Sequence, residues 1–419
     1  MRSLLFLLLM LPILSKAQQA LTLTNVYELA KQNYPLIKQK ELIKQTAGIN
    51  INNLSKGYLP QFNLSGQASY QSDVTQINIP IPGINIHPPS QDQYKIIADI
   101  NQLLYDGGVI KEQKNIQNLT DKSEQQKIEV ELYKLKERIN QFFLGVLFLD
   151  EQLKQVEFIK TDLSIGIKKT EAQVNNGVAF KSNLNVLKAE MLKTEQREIE
   201  LQSSRKGFVD VLSLFINQPL PSDVQLEKPV VAMVQSNSEI QRPEIKLFAT
   251  QENLLNSQYK LIESRNKPKA SAFLQSGYGR PGLNFLKNEF VFFYTTGLRL
   301  NWNFGGLYTQ KNEKQLVSIN KKLVGIQKET LLLNTNTALK QQQAEVDKLK
   351  LLIEKDNEII SLRIKVKEAA QAQLENSVIT ANDYLREVNA ADLARQSLIT
   401  HQVQLLQAQI NYQTISGNQ

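Results

Sequence analysis

The stretch QFNLSGQASY, residues 61–70, alternates apolar and polar side chains over nearly its whole length. A period of two is typical of a β-strand that turns one face to an apolar environment and the other to a polar one. Much of the remaining chain is rich in lysine and glutamate at helical spacing, so this strand needs partners elsewhere in the sequence. One face carries Phe62, Leu64, Ala68 and Tyr70, and the other carries Asn63, Ser65, Gln67 and Ser69.

Three further segments alternate in a similar way, and the sequence predicts strands near residues 61–72, 94–105, 269–279 and 290–304. A strand of about ten residues is long enough to cross a bilayer at a tilt. Lys95, Asp99 and Arg299 stand in mid-strand on the polar side. In a soluble sandwich this side would meet water, whereas in a membrane barrel it faces the lumen.

The first residues have the composition of a secretory signal peptide. Arg2 supplies a basic start, an apolar run extends from Leu4 to Ile13, and Ser15-Lys16-Ala17 follows with small residues around a cleavage point. A membrane-spanning anchor is the alternative, but the run is well short of the roughly twenty residues that a spanning helix needs. We therefore expect a signal peptide at residues 1–17 and a mature exported chain at 18–419.

Composition excludes several classes of protein. The chain has no cysteine, which excludes a lipid-anchored lipoprotein start and stapling by disulfides. The net charge of +8 comes from interspersed lysines and glutamates, which favours solvated helix faces over nucleic-acid binding. No segment after the signal peptide is apolar enough to span a bilayer as a helix. A membrane location would therefore require β-strands, which must close into a barrel to satisfy every backbone group.

The chain is predicted to contain two internal repeats, at about residues 18–220 and 237–415. Asn176-Gly177-Val178 recurs as Asn376-Ser377-Val378, and each copy is followed by a new amphipathic run. Leu104-Tyr105-Asp106-Gly107-Gly108 is echoed by the stretch NWNFGG at residues 301–306. Each half is expected to run helix, strand, loop, returning strand and then two long helices, and the first helix is expected from Val26 to about Leu54.

The long helices carry a heptad pattern, clearest at residues 128–156. This spacing predicts left-handed coiled-coil packing. A lone coiled-coil dimer is one interpretation, but returning helices near 183–215 and 383–412 favour antiparallel hairpins within one chain. The predicted fold class is therefore mostly α with transmembrane β. Because four strands are too few to close a barrel, the simplest closure is a homotrimer with twelve strands.

The sequence resembles the TolC-type outer-membrane efflux proteins over essentially the whole mature chain. The resemblance rests on the opening LTL at 21–23 with Asn33-Tyr34-Pro35, on Leu104 to Gly108, and on Asn175 to Val178 followed by residues 184–190. It implies an α-helical barrel continuing a twelve-stranded β-barrel, in the outer membrane with a periplasmic helical extension. It also implies a passive conduit for small molecules or proteins in a tripartite efflux or type I secretion system. The expected partners are a periplasmic adaptor (membrane fusion protein), an inner-membrane transporter and outer-membrane lipid.

The resemblance also implies a gate where hairpin tips narrow the tunnel, with acidic rings in the second repeat. The matching positions here are Asn382, Asp383 and Arg386, with Asn185 in the first repeat. An Asp383–Arg386 pair would act as a latch, while the alternative is that Asp383 is a helix cap. The adaptor is expected to grip the tips, at Asn176, Gly177, Val178, Asn376, Ser377 and Val378.

No enzymatic site is predicted, and neither a cofactor nor a metal. The histidines are His87 and His401, far apart and without partners at ligand spacing. The run from Gly277 to Gly282 matches G-x-G-x-x-G, but Pro281 and the following residues do not open an obvious helix, so we interpret it as an outer loop.

Two alternatives to a channel are a structural coiled-coil protein of the envelope and a periplasmic adaptor. The first leaves the four strands unexplained, and the second predicts one hairpin rather than two.

Overall fold

The structure is a computed structural model that describes residues 20–75, 88–231 and 239–418. The predicted signal peptide, His87 and most of the proline-rich loop after the first strand lie outside these residues. The helices are α1 (Leu23–Asn33), α2 (Ile37–Ser55), α3 (Val109–Asn175), α4 (Lys181–Ile216), α5 (Pro243–Arg265), α6 (Gly306–Glu375) and α7 (Ala381–Ser416). The strands are β1 (Gln61–Tyr70), β2 (Asp92–Tyr105), β3 (Lys269–Arg280) and β4 (Val291–Asn301).

The predicted mostly helical fold with four strands is confirmed. The strands form one antiparallel sheet in the order β1-β2-β3-β4. The order helix, strand, strand, long helix, returning helix occurs twice along the chain, and the two internal repeats with their bounds stay a prediction. None of the described helices has the length and apolarity of a membrane span.

The first predicted helix, expected from Val26 to about Leu54, is instead two helices. The Tyr34 amide donates to the carbonyl oxygen of Ala30 at 2.8 Å, and the backbone of Tyr34 is already extended. Proline at position 35 has no amide hydrogen and disfavours a helical residue before it. The Tyr34-Pro35 pair therefore ends α1 and lets α2 begin at Ile37.

The chain divides into two compact units. The first comprises Met1–Ile37, Glu129–Pro243 and Leu331–Gln419, and the second comprises Lys38–Ile128 and Glu244–Thr330. In the first unit, one apolar cluster joins α1, α3, α4 and α7 around Phe143, and another joins α3, α4, α6 and α7 around Tyr384. Most of the predicted heptad residues are buried in this way, including Leu135, Ile139 and Val146.

The segment that follows α4 is fixed to the first unit by main-chain and guanidinium hydrogen bonds. The Leu21 amide donates to the Gln225 carbonyl oxygen at 2.9 Å, and the Glu227 amide donates back to Leu21 at 3.1 Å. Arg205 is buried, pairs with Asp150 and donates to the carbonyl oxygen of Val224 at 2.7 Å. A buried guanidinium is tolerated because its donors have partners.

In the second unit, the Asp-Gly-Gly sequence makes the turn from β2 into α3. The Asp106 carboxylate accepts from the amides of Gly108 at 2.8 Å and Ile110 at 2.6 Å. Gly107 has φ +76, and a Cβ there would lie 2.6 Å from the Ser264 carbonyl oxygen. The sequence motif is thus explained by a helix cap and a turn that admits only glycine.

Candidate functional site

The sheet exposes a large apolar face. Cross-strand pairs such as Phe62 with Ile100 and Tyr278 with Phe292 bring the apolar sides of all four strands together. Phe62 is 68% exposed and Leu298 is 79% exposed. An apolar patch of this extent marks a surface that is covered by another molecule or by lipid. We name this surface the apolar face; it comprises Phe62, Leu64, Ala68, Tyr70, Tyr94, Ile96, Ala98, Ile100, Leu274, Tyr278, Phe292, Tyr294, Leu298 and Leu300.

The opposite surface, which we name the polar face, carries the three predicted lumen residues. Lys95, Asp99 and Arg299 all lie on it, because their cross-strand partners Gly279, Gln275 and Ser271 share its register. Asp99 accepts a hydrogen bond from Gln275 at 2.8 Å. Lys269 lies on the same face, opposite Asn301. The charged side chains on the paired positions of this face are therefore three cations and one carboxylate.

The sheet ends in two open edges. Within the described chain β1 pairs only with β2, and β4 pairs only with β3. Each edge presents backbone amide and carbonyl groups that need another strand or water as a partner. If another molecule or lipid covers the apolar face, water cannot reach these edge groups, and they then need a further strand as their partner.

The two hairpin tips have the same backbone geometry. The Val178 amide donates to the Gln173 carbonyl oxygen at 2.9 Å, and the Val378 amide donates to that of Gln373 at 2.8 Å. Gly177 has φ +73 and Ser377 has φ +59, so both tips turn through the left-handed region that closes a helix. Asn176, Gly177, Val178, Asn376, Ser377 and Val378 are all exposed.

Serine is tolerated in the second tip because its side chain has a partner. Gln173 of the first hairpin donates to the Ser377 Oγ at 3.1 Å and to the Leu374 carbonyl oxygen at 2.7 Å. These two hydrogen bonds join the tips of the two hairpins within one chain. They also offset part of the strain that a non-glycine residue suffers at positive φ.

The tips differ at the residue that begins the returning helix. Thr380 caps α7 in a reciprocal capping box with Asp383, whose amide lies 3.2 Å from the Thr380 Oγ1. The equivalent residue of α4 is Phe180, which makes no side-chain capping hydrogen bond and is 80% exposed. The first tip therefore lacks a cap usually worth about 1 kcal/mol and presents an aromatic ring instead.

Asp383 contributes to the cap of α7 from position N3 of the capping box, and Thr380 rather than Asp383 is the N-cap residue. Hydrogen bonds from the Thr380 side chain and backbone lower the pKa of the Asp383 carboxyl, and the nearby Arg386 lowers it further. Arg386 is exposed and lies 3.1 Å from the Glu387 carboxylate but 3.9 Å from that of Asp383. Both acids are on its own helix, so these contacts do not join one hairpin to the other. Asn382 and Asn185 are exposed.

A buried ion pair that the sequence analysis missed does join the hairpins. Lys367 of α6 contacts both carboxylate oxygens of Asp162 of α3, at 2.8 and 2.9 Å. The hydroxyl of Tyr384 donates to the Asp162 carbonyl oxygen at 3.2 Å, and burial raises the pKa of Tyr384 to about 12. A Cβ on Gly166 would lie 2.8 Å from the Tyr384 ring, so glycine makes room for the ring there.

A second polar group that joins helices centres on the carboxylate of Asp392 in α7. It accepts from Gln155 of α3 at 3.1 Å and pairs with Arg197 of α4 at 3.3 Å, and Gln396 also donates to it. Arg197 donates in turn to the Gln152 side chain at 2.7 Å. Neither this group nor the Lys367–Asp162 pair has a local sequence signal, because all the partners except Gln396 are tens to hundreds of positions apart.

The structure brings together no metal-binding constellation among the described residues. His401 lies 2.6 Å from the Asp356 carboxylate as an isolated pair. In the glycine-rich run, Gly277 and Gly279 are within β3 and Gly282 lies in the turn after it, and α6 begins only at Gly306. A dinucleotide-binding turn needs a helix at that point, and none begins there. The interpretation of the whole run as an outer loop is wrong for residues 277–280, which belong to β3, and holds only for Pro281 and Gly282.

We expect Gly177→Ala to lower the free energy of unfolding by about 1 kcal/mol, through backbone strain alone. A Cβ at Gly177 meets no atom within 4 Å, so no steric clash contributes. Gly207 also has open space around a Cβ but lies within α4, so Gly207→Ala is the matched control and should stabilise by up to about 1 kcal/mol. Chemical unfolding followed by circular dichroism measures both, and a shift of the same sign in the two variants would contradict the assignment.

Comparison with known proteins agrees with this geometry. Residues 26–209 match the family model described as outer membrane efflux protein. No curated protein matches the chain. Among solved structures, CusC is 14% identical with a TM-score of 0.67, and the match covers 95% of this chain and 92% of CusC.

Two further solved structures have the same fold. The outer-membrane channel OprN is 11% identical with a TM-score of 0.69, covering 95% of this chain and 90% of OprN. The MtrE outer membrane channel of Neisseria gonorrhoeae is 12% identical with a TM-score of 0.65, covering 94% and 89%. Residues 26–209 thus match the family model of outer membrane efflux proteins, and the chain has the fold of these outer-membrane channels, which confirms the resemblance seen in the sequence.

Proposed function

We propose that the protein is the outer-membrane channel-tunnel of a tripartite efflux or type I secretion system. In this role it is a passive conduit for small molecules or proteins, driven by an inner-membrane transporter. The observation that carries the proposal is the sheet, which has one exposed apolar face, one polar face and two open edges. A structural coiled-coil protein or a periplasmic adaptor would leave the apolar face without a partner.

The open edges support a homotrimer. Bacterial barrels need about eight strands or more, so one four-stranded sheet is too small to enclose a lumen. If β1 of one protomer pairs with β4 of the next, three chains close a ring of twelve strands and no edge remains. The apolar face then meets lipid, and the polar face lines the lumen with Lys95, Asp99, Lys269 and Arg299.

The test is reconstitution of the purified protein in planar lipid bilayers. We expect a heat-stable trimer from the outer-membrane fraction, and channels that prefer anions in the barrel because cations outnumber carboxylates on the polar face. Lys95→Gln with Arg299→Gln should reduce that preference, measured as the reversal potential in a salt gradient. The charge-conserving pair Lys95→Arg and Arg299→Lys is the control and should retain it.

Two outcomes would count against this reading. A monomer that stays soluble and forms no channel contradicts the proposed function. Channels whose reversal potential is the same in the glutamine and the charge-conserving variants contradict the assignment of the polar face to the lumen.

The hairpin tips are proposed as the adaptor-docking surface, with Phe180 added to the six residues that the sequence indicated. Large aromatic side chains at the centre of an interface supply much of its binding energy. Phe180 is such a side chain, and it occupies a position where threonine caps the equivalent helix. Val178 and Val378, which are also exposed, extend the apolar surface.

We expect Phe180→Thr to weaken adaptor binding at least tenfold, about 1.4 kcal/mol, because it removes an aromatic contact. The same change should leave α4 intact or more stable, because threonine restores a cap. Binding is measured with a purified periplasmic adaptor that binds the wild-type protein, and Leu192→Thr, at an exposed apolar residue within α4, is the control. Equal affinity of wild type and Phe180→Thr would exclude Phe180 from the docking surface.

A gate at the tips is proposed from Asn382, Asp383, Arg386 and Asn185. We expect Asp383→Asn with Arg386→Ala to raise single-channel conductance, because the variant removes the charged pair of the proposed gate. Asparagine is chosen at 383 because it keeps an acceptor for the Thr380 amide. Lys367→Met, which breaks the ion pair between the hairpins, should raise conductance further. If the double variant conducts like wild type while Lys367→Met conducts more, Asp383 is a cap only and the ion pair alone restrains the tips.

A further inference from the structure

Three large side chains on the polar face lie against glycines of the neighbouring strand. Phe293 is directly opposite Gly277, Phe273 is opposite Gly297, and Lys95 is opposite Gly279. Both phenylalanines are half-buried although they are on the polar face of a two-sided sheet. Glycine in the middle of a strand usually weakens it, so its presence opposite large side chains points to close packing at that position.

The distances show how close this packing is. A Cβ built on Gly277 would lie 2.5 Å from the Phe293 Cζ, and one on Gly297 would lie 3.2 Å from the Phe273 Cε1. On Gly279 it would lie 2.6 Å from the Tyr94 carbonyl oxygen and 2.8 Å from the Lys95 Cγ, so the backbone of β2 also requires glycine there. Real Cβ atoms essentially never approach another atom closer than 3.0 Å. The rings and the lysine stem are therefore folded down onto the strand surface, in the space that a side chain would otherwise occupy.

Gly66 shows that a strand glycine in this sheet does not by itself produce such a contact. It lies on the opposite, apolar face, paired with Ile96, and a Cβ there meets no atom within 4 Å. Gly66 and Gly277 are nearly level, because Ile97, the neighbour of Ile96, pairs with Gly277. Gly277 and Gly66 therefore differ in packing because they lie on different faces and have different cross-strand partners. Their positions along the strands are nearly the same.

We propose that Gly277 and Gly297 set the width of the conduit by holding Phe293 and Phe273 flat against its wall. The inference rests on the proposed function, which places the polar face toward the lumen. A side chain at 277 would meet both the Phe293 ring and, at 2.9 Å, the Ile96 carbonyl oxygen. The ring is the group that can rotate, and the free space beside it is the lumen. Arg299 follows the same arrangement, since its guanidinium lies 4.7 Å from the centre of the Phe273 ring.

This arrangement gives the wall a defined chemistry at mid-sheet. The rings expose flat aromatic surface, and the cations lie along it rather than projecting across the lumen. A wide passage with a smooth aromatic and cationic lining suits bulky cargo better than a constriction of projecting side chains. Glycine is thus a size-determining residue here, although it contacts no cargo itself.

The experiment compares four proteins as reconstituted trimers: wild type, Gly277→Ala, Phe293→Ala and the double variant. The readouts are single-channel conductance and the largest neutral polyethylene glycol that enters from the side of the β1–β2 and β3–β4 loops. We expect Gly277→Ala to lose conductance and to exclude polymers that wild type admits. Phe293→Ala alone should change little, and the double variant should regain at least the wild-type values.

Gly66→Ala is the matched control and should behave like wild type in both measurements. Polymer entry equal to wild type in Gly277→Ala, or a double variant as restricted as the single one, overturns the inference. If Gly277→Ala does not assemble, Gly297→Val applies the same test, because a Cβ alone at 297 would shift the Phe273 ring only slightly and the larger side chain is needed to displace it. Absence of channels in wild type and Gly66→Ala would instead refute the proposed function.

Discussion

The constraint on which the rest of this structure depends is that every backbone amide and carbonyl of a strand needs a partner. Four strands satisfy one another internally and leave β1 and β4 as edges. In water those edges would be hydrated, but an apolar face as exposed as that of Phe62 and Leu298 marks a surface that another molecule or lipid covers, where water does not reach the edges. Hydrogen bonding and burial therefore both require further strands, and the described residues contain no strand beyond these four.

The same requirement explains the sequence motifs that carry the family resemblance. Leu21 hydrogen-bonds the segment after α4, Tyr34-Pro35 ends a helix, Asp106 with Gly107 starts another, and Gly177 turns a tip. Each motif marks a place where the main chain changes direction and a particular residue type satisfies or permits it. Between these points the heptad positions need only be apolar to pack, which is consistent with sequence identities of 11–14% to solved structures of the same fold.

Most of the fold was predictable from the sequence, because alternation and heptads are local signals. The strands, the hairpins and the shared face of Lys95, Asp99 and Arg299 all follow from periodicity. The split of the first helix is explained by Pro35, which the single predicted helix ran through.

The Lys367–Asp162 pair and the contacts of Phe293 with Gly277 could not be predicted in this way. They depend on which helices are adjacent and on the strand register, and neither is encoded within a window of neighbouring residues. Phe180 was overlooked because exposure is a property of the folded tip.

The Asp392 carboxylate also affects how the helices around it can move. It is shared by side chains from α3 and α4 and by a residue of its own helix, so a helix that moves away disturbs all of these hydrogen bonds together. Loss of the first contact leaves a charge less well satisfied in a partly buried place, which makes loss of the next one easier. Movement of α3, α4 and α7 relative to one another near Asp392 is then expected to be all-or-none. The helices would have two discrete arrangements and few stable positions between them.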